Sequence, residues 1–335
     1  KLYNQKTNKK LVVKASNTRE DFFTLHHSDT NQKVFIPIDI DSLGITYEHL
    51  ENDYNDFNRQ KLIPYKISDK GPATVVKDFN GDGLDDLFLG SSIFNPSKLY
   101  FQKNGMFFEA EQNVLKMDSL KEDVSAVIED FNGDGQNDLF VMSSGGDYYR
   151  ESVNLLDRIY YGDKNGLKNK ADVLPLIYEN GGLARADDFD KDGDMDLLVA
   201  GGYKAYDFGK IPGSYLLKNE GGKFLPYQSE LFENLGMITD LRWIDLDQDG
   251  FTDLVVIGEW MTPRFFKNKE GSFEEVFLLE DEKLNGLWQQ MELFDIDGDG
   301  DQDIVLGNWG LNSKFKANDN FPLQMYYGDY DNNGT

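Results

Sequence analysis

Short apolar runs recur along the chain from about residue 60, and Asp-, Asn- and Gly-rich turns separate them. The spacing of the apolar residues shows no helical period. Each unit has a strand that enters an acidic loop, a strand that leaves it, a third strand with aromatic residues, and a fourth strand after a Gly-containing turn. Four short strands in about 50 residues, repeated along a chain, are typical of β-propeller blades. The pattern therefore predicts an all-β propeller of four-stranded blades, about five of them in this chain.

The predicted first strands are 73–76, 125–128, 241–244 and 291–294, and the second strands are 87–89, 139–142, 197–200, 254–257 and 304–306. The third strands are 99–101, 159–161, 215–217 and 264–266, and the fourth strands are 107–108, 224–225 and 273–277.

The acidic loop between the first and second strands follows one plan, with Asp at position 1, Asp or Asn at 3, Asp at 5, Gly at 6 and Asp at 9. Five complete copies begin at Asp78, Asp130, Asp188, Asp245 and Asp295. Carboxylates packed into nine residues repel one another unless a cation lies between them, and Ca²⁺ takes six to eight oxygen ligands. Glycine at position 6 permits the positive φ of a sharp turn. The loops therefore predict Ca²⁺ sites between the first and second strands.

The predicted ligands occupy positions 1, 3, 5, 7 and 9, with position 7 contributing its backbone carbonyl because its side chain varies. In the five complete loops they are Asp78, Asn80, Asp82, Leu84 and Asp86; Asp130, Asn132, Asp134, Gln136 and Asp138; Asp188, Asp190, Asp192, Asp194 and Asp196; Asp245, Asp247, Asp249, Phe251 and Asp253; and Asp295, Asp297, Asp299, Asp301 and Asp303. A sixth loop, Asp329, Asp331, Asn333 and Thr335, ends with the sequence before position 9.

An EF-hand is the main alternative for such a loop, but it requires Glu at position 12 and flanking helices. Position 12 here is aliphatic in all five complete copies: Leu89, Val141, Val199, Val256 and Leu306. A dockerin loop fails for the same reason, and a thrombospondin-type repeat fails for lack of cysteine. Ordinary Asp/Gly turns would explain one copy, but not five in register.

Composition narrows the function classes. A net charge of −26 argues against nucleic acid or an anionic membrane surface as partner. With no cysteine there is no disulfide framework and no thiol chemistry. No apolar run reaches the roughly 18 residues of a membrane span. The chain opens on Lys1 and stops inside a loop, so we expect a piece of a longer protein whose signal peptide or lipid anchor is missing.

Two regions are predicted. Residues 1–46 form the tail of a preceding domain and a lead-in, and residues 47–335 form the propeller, truncated at its C-terminus. The three histidines, His26, His27 and His49, lie near the start, where surface or packing roles are favoured over a metal or acid–base role. Residues 325–329 resemble 159–163, which places the sixth loop on the outer hairpin of the fifth blade.

The stretch 78–90, DFNGDGLDDLFLG, resembles the FG-GAP/VCBS repeat of integrin α propellers. The stretches 51–57, 258–261 and 307–314 resemble propellers of the cartilage-acidic-protein type, large bacterial surface proteins that combine VCBS repeats with an ASPIC/UnbV domain. This resemblance implies about seven or eight blades in the intact protein. It also implies a protein or glycan partner, and an address on the outer membrane or in the medium rather than in the periplasm. Weak, carboxylate-rich loops bind Ca²⁺ only where its concentration is about millimolar, which agrees with a location outside the cytoplasm.

In a propeller, the acidic loops share one face with the turns between third and fourth strands, and the other face varies. That variable face carries aromatic and Arg residues suited to a glycan or a protein partner. The candidate contacts are Tyr148, Tyr149, Arg150, Tyr203, Tyr206, Trp260 and Trp309. The alternative for each is that it wedges between blades.

No sequence motif for catalysis is present, and no catalytic residue is assigned. Asp147, Glu151, Asp207 and Glu259 are the nearest acids for a glycoside hydrolase or lyase. The sequence therefore predicts a Ca²⁺-stabilised binding or scaffold module. The resemblance to bacterial surface proteins implies that it is a subunit or accessory of an outer-membrane uptake or secretion complex. A polysaccharide enzyme, a glycan-binding module and an adhesin are the alternatives.

Overall fold

The computed structural model describes residues 37–148, 150–277, 284–310, 312–318 and 320–328. Within these ranges the protein is all-β and contains four complete antiparallel blades, each with its strands in chain order. The first blade is β1 (Thr74–Lys77), β2 (Asp86–Leu89), β3 (Lys98–Lys103) and β4 (Met106–Ala110), and the second is β5 (Glu122–Glu129), β6 (Asp138–Ser144), β7 (Arg158–Asp163) and β8 (Gly166–Ala171). The third blade is β9 (Gly181–Asp187), β10 (Asp196–Gly201), β11 (Tyr215–Asn219) and β12 (Phe224–Pro226), and the fourth is β13 (Met237–Ile244), β14 (Asp253–Met261), β15 (Arg264–Lys269) and β16 (Ser272–Val276).

The fifth unit contributes two strands, β17 (Gly286–Phe294) and β18 (Asp303–Asn308). β17 pairs with β18 and also with the end of β14, through Glu259↔Leu287 and Met261↔Gly286. Residues 320–328 form no strand, so the predicted outer hairpin of the fifth blade is not seen there. Instead, Tyr327 lies against Gly209, in the connection between β10 and β11.

The predicted strands are confirmed in position and order, and the all-β propeller architecture is confirmed with them. β8 and β9 were not predicted, because Lys and Asn interrupt the first and Gly and Ala dilute the apolar pattern of the second. Two unpredicted helices, α1 (Asn113–Met117) and α2 (Glu230–Glu233), lie between blades. They are too short for a helical period, and each buries one anchor, Leu115 or Phe232. Short 3₁₀ helices span Ile40–Leu43, Asp56–Asn58 and Val153–Leu155.

The hydrophobic core lies between consecutive blades. Every residue of β6 and β10 is buried, because the second strand has neighbouring strands at both edges and a blade on each side. Loop position 2 adds an aromatic ring to this core: Phe79, Phe131 and Phe189 are at most 2% exposed. Burying a side chain of this size stabilises a fold by about 1.5–3 kcal/mol. The first three acidic loops are therefore fixed to the core at their second residue, whereas Ile296 of the fifth loop is exposed.

The segment before β1 crosses the variable face of the propeller. Ile63 and Ile67 are buried against Tyr203 and Met237. Asp56, 2% exposed, holds this segment in shape by accepting the backbone N–H groups of Ile67 and Ser68, both at 3.1 Å. Part of the face that the sequence left open is thus covered by the chain itself. No helix in the described ranges is long and apolar enough to cross a membrane.

Candidate metal centres

Each acidic loop is shaped by hydrogen bonds from its own backbone to its own carboxylates. In the first loop, Asp78 accepts the N–H groups of Gly81 at 2.8 Å, Asp82 at 3.2 Å and Gly83 at 2.8 Å. Asn80 accepts the Asp82 N–H, and Asp82 accepts the Leu84 N–H, both at 2.9 Å. The side chains at positions 1, 3 and 5 are thereby turned into the loop.

The other loops repeat this arrangement. Position 1 accepts the N–H of the position 6 glycine in all of them, at 2.8 Å for Asp130, 3.1 Å for Asp188, 2.8 Å for Asp245 and 3.0 Å for Asp295. The position 6 glycines have φ between 80° and 97°, as predicted: Gly83, Gly135, Gly193, Gly250 and Gly300. Five loops of different sequence therefore share one conformation.

Position 9 has a role that the sequence did not indicate. Asp138 is fully buried, and it accepts the Phe131 N–H with one oxygen and the Gly162 N–H with the other, at 3.2 and 2.9 Å. Asp86 and Asp253 likewise join position 2 of the loop to the end of the third strand. Burial raises the pKa of Asp138 to about 6. Position 9 thus anchors the loop to the blade, and an Asp253 oxygen also lies within 4.8 Å of ligand oxygens of Asp245 and Asp247.

The third loop provides the best test of whether these residues fit a cation. Asp188 Oδ1, Asp190 Oδ1 and Asp196 Oδ2 are buried and have no hydrogen-bond partner. Ligand oxygens of Asp188, Asp190 and Asp192 lie within 4.8 Å of one another, as do those of Asp295, Asp297 and Asp299 in the fifth loop. Buried carboxylate oxygens without donors are costly. An all-oxygen donor set of this kind fits Ca²⁺.

Two lysines at the ends of third strands face the third and fourth loops. Lys218 Nζ contacts Asp190 and lies 3.1 Å from Asp192, and Lys267 Nζ contacts Asp247 and lies 3.8 Å from Asp249. The hydrogen bond to Asp190 raises the pKa of Lys218. The equivalent residue is Phe101 in the first blade and Tyr161 in the second.

Sequence reasoning missed these lysines by assigning them to turns. The available signal is the pair Lys-Asn at 218–219 and again at 267–268. Because each ammonium group neutralises part of the acidic charge, the third and fourth loops differ electrostatically from the first two.

Asparagine side chains join acidic loops to the neighbouring blade, and two of them, Asn219 and Asn268, are fully buried. Asn219 Nδ2 donates to the Phe131 carbonyl, and Asn268 Nδ2 donates to the Phe189 carbonyl, both at 2.8 Å. Asn137 Nδ2 donates to the Asp78 carbonyl at 2.7 Å. Each of the first three loops is therefore bonded to the next blade, and its conformation is coupled to blade packing.

Two groups of predicted site residues lie outside the described residues. They are the sixth loop, with Asp329, Asp331, Asn333 and Thr335, and the candidate contact Tyr149.

The predicted exposed aromatic residues of the variable face are largely covered. Tyr203 is 2% exposed, and Ile63 and Ile67 pack against it. Trp260 packs against the same cluster, and its Nε1 is buried without a hydrogen-bond partner. Trp309 makes an edge contact with Tyr65, at 5.2 Å between ring centroids.

The remaining candidates stay nearer the surface. The Arg59 guanidinium lies 4.7 Å from the ring centroid of Tyr206, and the Tyr148 hydroxyl donates to the Leu120 carbonyl. Arg150 is exposed and has a φ of 56°.

A cavity of about 200 Å³ opens among the variable-face residues, lined by Tyr65, Lys70, Tyr203, Phe208, Glu259 and Gln289, among others. Glu259 is 3% exposed; it accepts the Tyr65 hydroxyl and, at 2.9 Å, Gln289 Nε2. Burial raises its pKa. The other candidate acids do not line this cavity. Asp147 pairs with Asn52, Asp207 pairs with Lys210, and Glu151 is exposed.

Comparison with known proteins gives the same repeat. The profile of the FG-GAP-like repeat matches residues 78–141, 130–199, 188–256 and 245–306. Integrin alpha-8 of Homo sapiens and of Mus musculus are each 31% identical over 165 residues, which is 42% of this chain and 15% of theirs. The chain therefore corresponds to a small part of these relatives.

Several solved structures are similar to this chain at low identity and low TM-score. They include an Agrocybe aegerita lectin that recognises non-reducing terminal N-acetylglucosamine (16% identity, 60% of this chain, 50% of the lectin, TM-score 0.41). They also include the V. cholerae biofilm matrix protein Bap1 (17% identity, 71% of this chain, 35% of Bap1, TM-score 0.41) and an exotype rhamnogalacturonan lyase (12% identity, 72% of this chain, 46% of the lyase, TM-score 0.43). These scores are too low to indicate function.

The four overlapping repeat matches cover more than half of the chain and coincide with its loops and strands. The chain belongs to the family of proteins built from FG-GAP-like repeats.

Proposed function

We propose that this propeller is a Ca²⁺-stabilised binding module that works outside the cell. The observation that supports calcium most directly is the third loop, where three buried carboxylate oxygens, on Asp188, Asp190 and Asp196, have no hydrogen-bond donor. The conformation shared by the other loops extends the proposal to all five.

Calcium here has a structural role. At a free Ca²⁺ concentration ten times the Kd, each loop gains about 1.4 kcal/mol from binding. Because Asn137, Asn219 and Asn268 bond three of the loops to the next blade, that energy also stabilises the contacts between blades. Several loops together are enough to decide whether the propeller stays folded.

The proposed location is the bacterial cell surface or the medium, and the proposed relatives are the cartilage-acidic-protein type of propeller. Carboxylate loops with affinities in the weak range fill where Ca²⁺ is about millimolar, as outside cells. The net charge of −26 favours partners without acidic backbones. We propose a protein partner in an outer-membrane uptake or secretion complex, with a glycan as the alternative ligand.

The cavity favours binding over glycoside cleavage. Both forms of glycoside hydrolysis use a pair of carboxylic acids. Glu259 is the single carboxylate among the residues that line this cavity, and Tyr65 and Gln289 already occupy its oxygens. The aromatic and polar lining is suited to holding a ligand.

The proposal is tested by affinity isolation of the full-length protein from detergent-solubilised membranes, in parallel with millimolar Ca²⁺ and with EDTA. A stoichiometric membrane-protein partner that dissociates in EDTA is the expected result. If the protein is isolated alone under both conditions but binds sugars on a glycan array, the ligand is a carbohydrate and not a protein. If the protein binds neither a membrane protein nor a glycan, the binding function is contradicted.

A further inference from the structure

A second group of potential metal ligands lies away from the acidic loops, where the segment before β1 meets the start of β5. One ligand atom from each of His49, Glu51 and Glu122 lies within 4.8 Å of the other two. Glu122 is the first residue of β5, and the second acidic loop begins beyond the other end of that strand, at Asp130. The group therefore lies on the variable face, a full strand length from that loop.

Glu122 is buried, and part of its carboxylate is unpaired. The residue is 1% exposed, and its Oε1 has no hydrogen-bond partner. The carboxylate accepts the backbone N–H of Ile93, and the charged groups that act on it, Glu51, Asp123 and Asp147, are all acidic. The nearby Arg158 is engaged by Asp123. A buried carboxylate oxygen that faces further acids requires a cation or a proton.

The unpaired oxygen faces the histidine side of the group. A methyl group placed on Gly71 would lie 3.2 Å from Glu122 Oε1 and 3.6 Å from His49 Cε1. Both side chains thus border the same point beside Gly71, whose lack of a side chain leaves room between them.

Hydrogen bonds place a ring proton on Nδ1 of His49. The Tyr47 hydroxyl donates its proton to the Gly90 carbonyl at 2.6 Å, so its oxygen must accept from His49 Nδ1, 3.0 Å away. Nδ1 therefore carries a ring proton, and Nε2 contacts the Glu51 carboxylate. Either a second ring proton, which makes this contact an ion pair, or a metal ion must lie between Nε2 and that carboxylate. Metal-binding histidines characteristically donate their other ring N–H in this way.

We propose that His49, Glu51 and Glu122 form a binding site for a divalent first-row transition metal, with Zn²⁺ as the preferred ion. One imidazole and two carboxylates suit Zn²⁺, whereas Ca²⁺ selects oxygen ligands alone. Two carboxylate charges and a neutral imidazole balance a divalent ion. Three protein ligands leave the fourth position of a tetrahedral Zn²⁺ for water or a bound group.

The test is calorimetric titration of Zn²⁺ into the full-length, tag-free protein with millimolar Ca²⁺ present, so that the acidic loops are already filled. One Zn²⁺ per chain is expected. Glu122→Gln and His49→Gln should each weaken binding at least tenfold. Tyr47→Phe, which removes the group that accepts the Nδ1 proton, should weaken it about 10- to 100-fold. Co²⁺ in place of Zn²⁺ should give a visible absorption band that both ligand variants lose.

The matched control is Glu48→Gln, which makes the same chemical change at an exposed neighbour and should leave Zn²⁺ affinity unchanged. A second control replaces His26 and His27, the other histidines of the chain, with the same expectation. If the parent takes up no Zn²⁺, the proposal is overturned, and a shared proton then holds the three side chains together. Uptake that persists in His49→Gln would also overturn it. Because the His49 side chain is only half-buried, this variant is expected to fold.

Discussion

Asn219 offers the sharpest test of how the loops hold the blades together. Its side chain is fully buried and makes three hydrogen bonds. Nδ2 donates to the Phe131 carbonyl in the previous blade at 2.8 Å and to the Met195 carbonyl at 3.1 Å, and Oδ1 accepts the Gly222 N–H at 2.8 Å. Replacing it with alanine removes the bond between blades and leaves buried backbone groups without partners.

The expected loss follows from these contacts. Each hydrogen bond contributes about 0.5–1.5 kcal/mol net, and a buried group left unpaired costs about 1–3 kcal/mol. The substitution leaves a small space in which water or a shifted backbone can recover part of the lost hydrogen bonding. We therefore expect Asn219→Ala to lower the free energy of unfolding by about 2–4 kcal/mol. For a domain of this size that corresponds to a fall in Tm of about 3–6 °C.

The assay is thermal unfolding in millimolar Ca²⁺, followed by circular dichroism and by tryptophan fluorescence. Asn234→Ala is the matched control, because that asparagine is exposed, and its Tm should stay within about 2 °C of the parent. An Asn219→Ala variant that melts with the parent would refute the idea that this side chain couples one loop to the next blade.

Three further predictions follow from individual contacts. Lys218→Met should raise the Ca²⁺ affinity of the third loop several-fold in a calorimetric titration, because the ammonium group beside Asp190 no longer competes with the ion; unchanged affinity would contradict this. Gly162→Ala should destabilise the protein by about 1–3 kcal/mol in urea unfolding, since the new methyl group would lie 2.1 Å from the Asn137 carbonyl oxygen. Burial raises the pKa of Asp157 to about 7, so the folded protein keeps a proton that the unfolded chain releases near pH 4, and this contribution to stability falls as the pH rises from 4 to 7. Asp157→Asn should remove that contribution, so the Tm difference between variant and parent should shift in favour of the variant as the pH rises. A Tm difference that stays constant between pH 4 and 7 would show that the pKa of Asp157 is not raised on folding.

Local sequence was enough to predict the repeating part of the fold. The acidic loop, its glycine at positive φ and the apolar strand after it are set within about a dozen residues, so Asp78–Leu89 and its copies carry their own structure in their sequence. The position 9 aspartates were found for the same reason. Their hydrogen bonds to the third strand could not be found, because Asp138 and Gly162 are brought together only by strand pairing.

Contacts between distant parts of the chain account for what the sequence did not show. Tyr203 belongs to a variable loop, and nothing near it indicates that Ile63 and Ile67 cover it. Lys218 follows the predicted third strand 215–217 and was therefore predicted to lie in a turn. The structure places it beside Asp190 and Asp192 of the third acidic loop. His49 and Glu122 are 73 positions apart, and their approach depends on how the segment before β1 crosses the first and second blades.

The most direct test of the account is the Ca²⁺ dependence of thermal stability, measured with the metal content of the same sample. The full-length protein is stripped with EDTA, then melted in EDTA, in millimolar Ca²⁺ and in millimolar Mg²⁺ as an ionic-strength control. The account predicts a clearly higher Tm in Ca²⁺ than in Mg²⁺, bound Ca²⁺ approaching the five complete loops of the sequence, and a smaller gain in Asp249→Ala and Asp299→Ala. Equal melting of parent and variants in EDTA and Ca²⁺, with no Ca²⁺ retained, would contradict it.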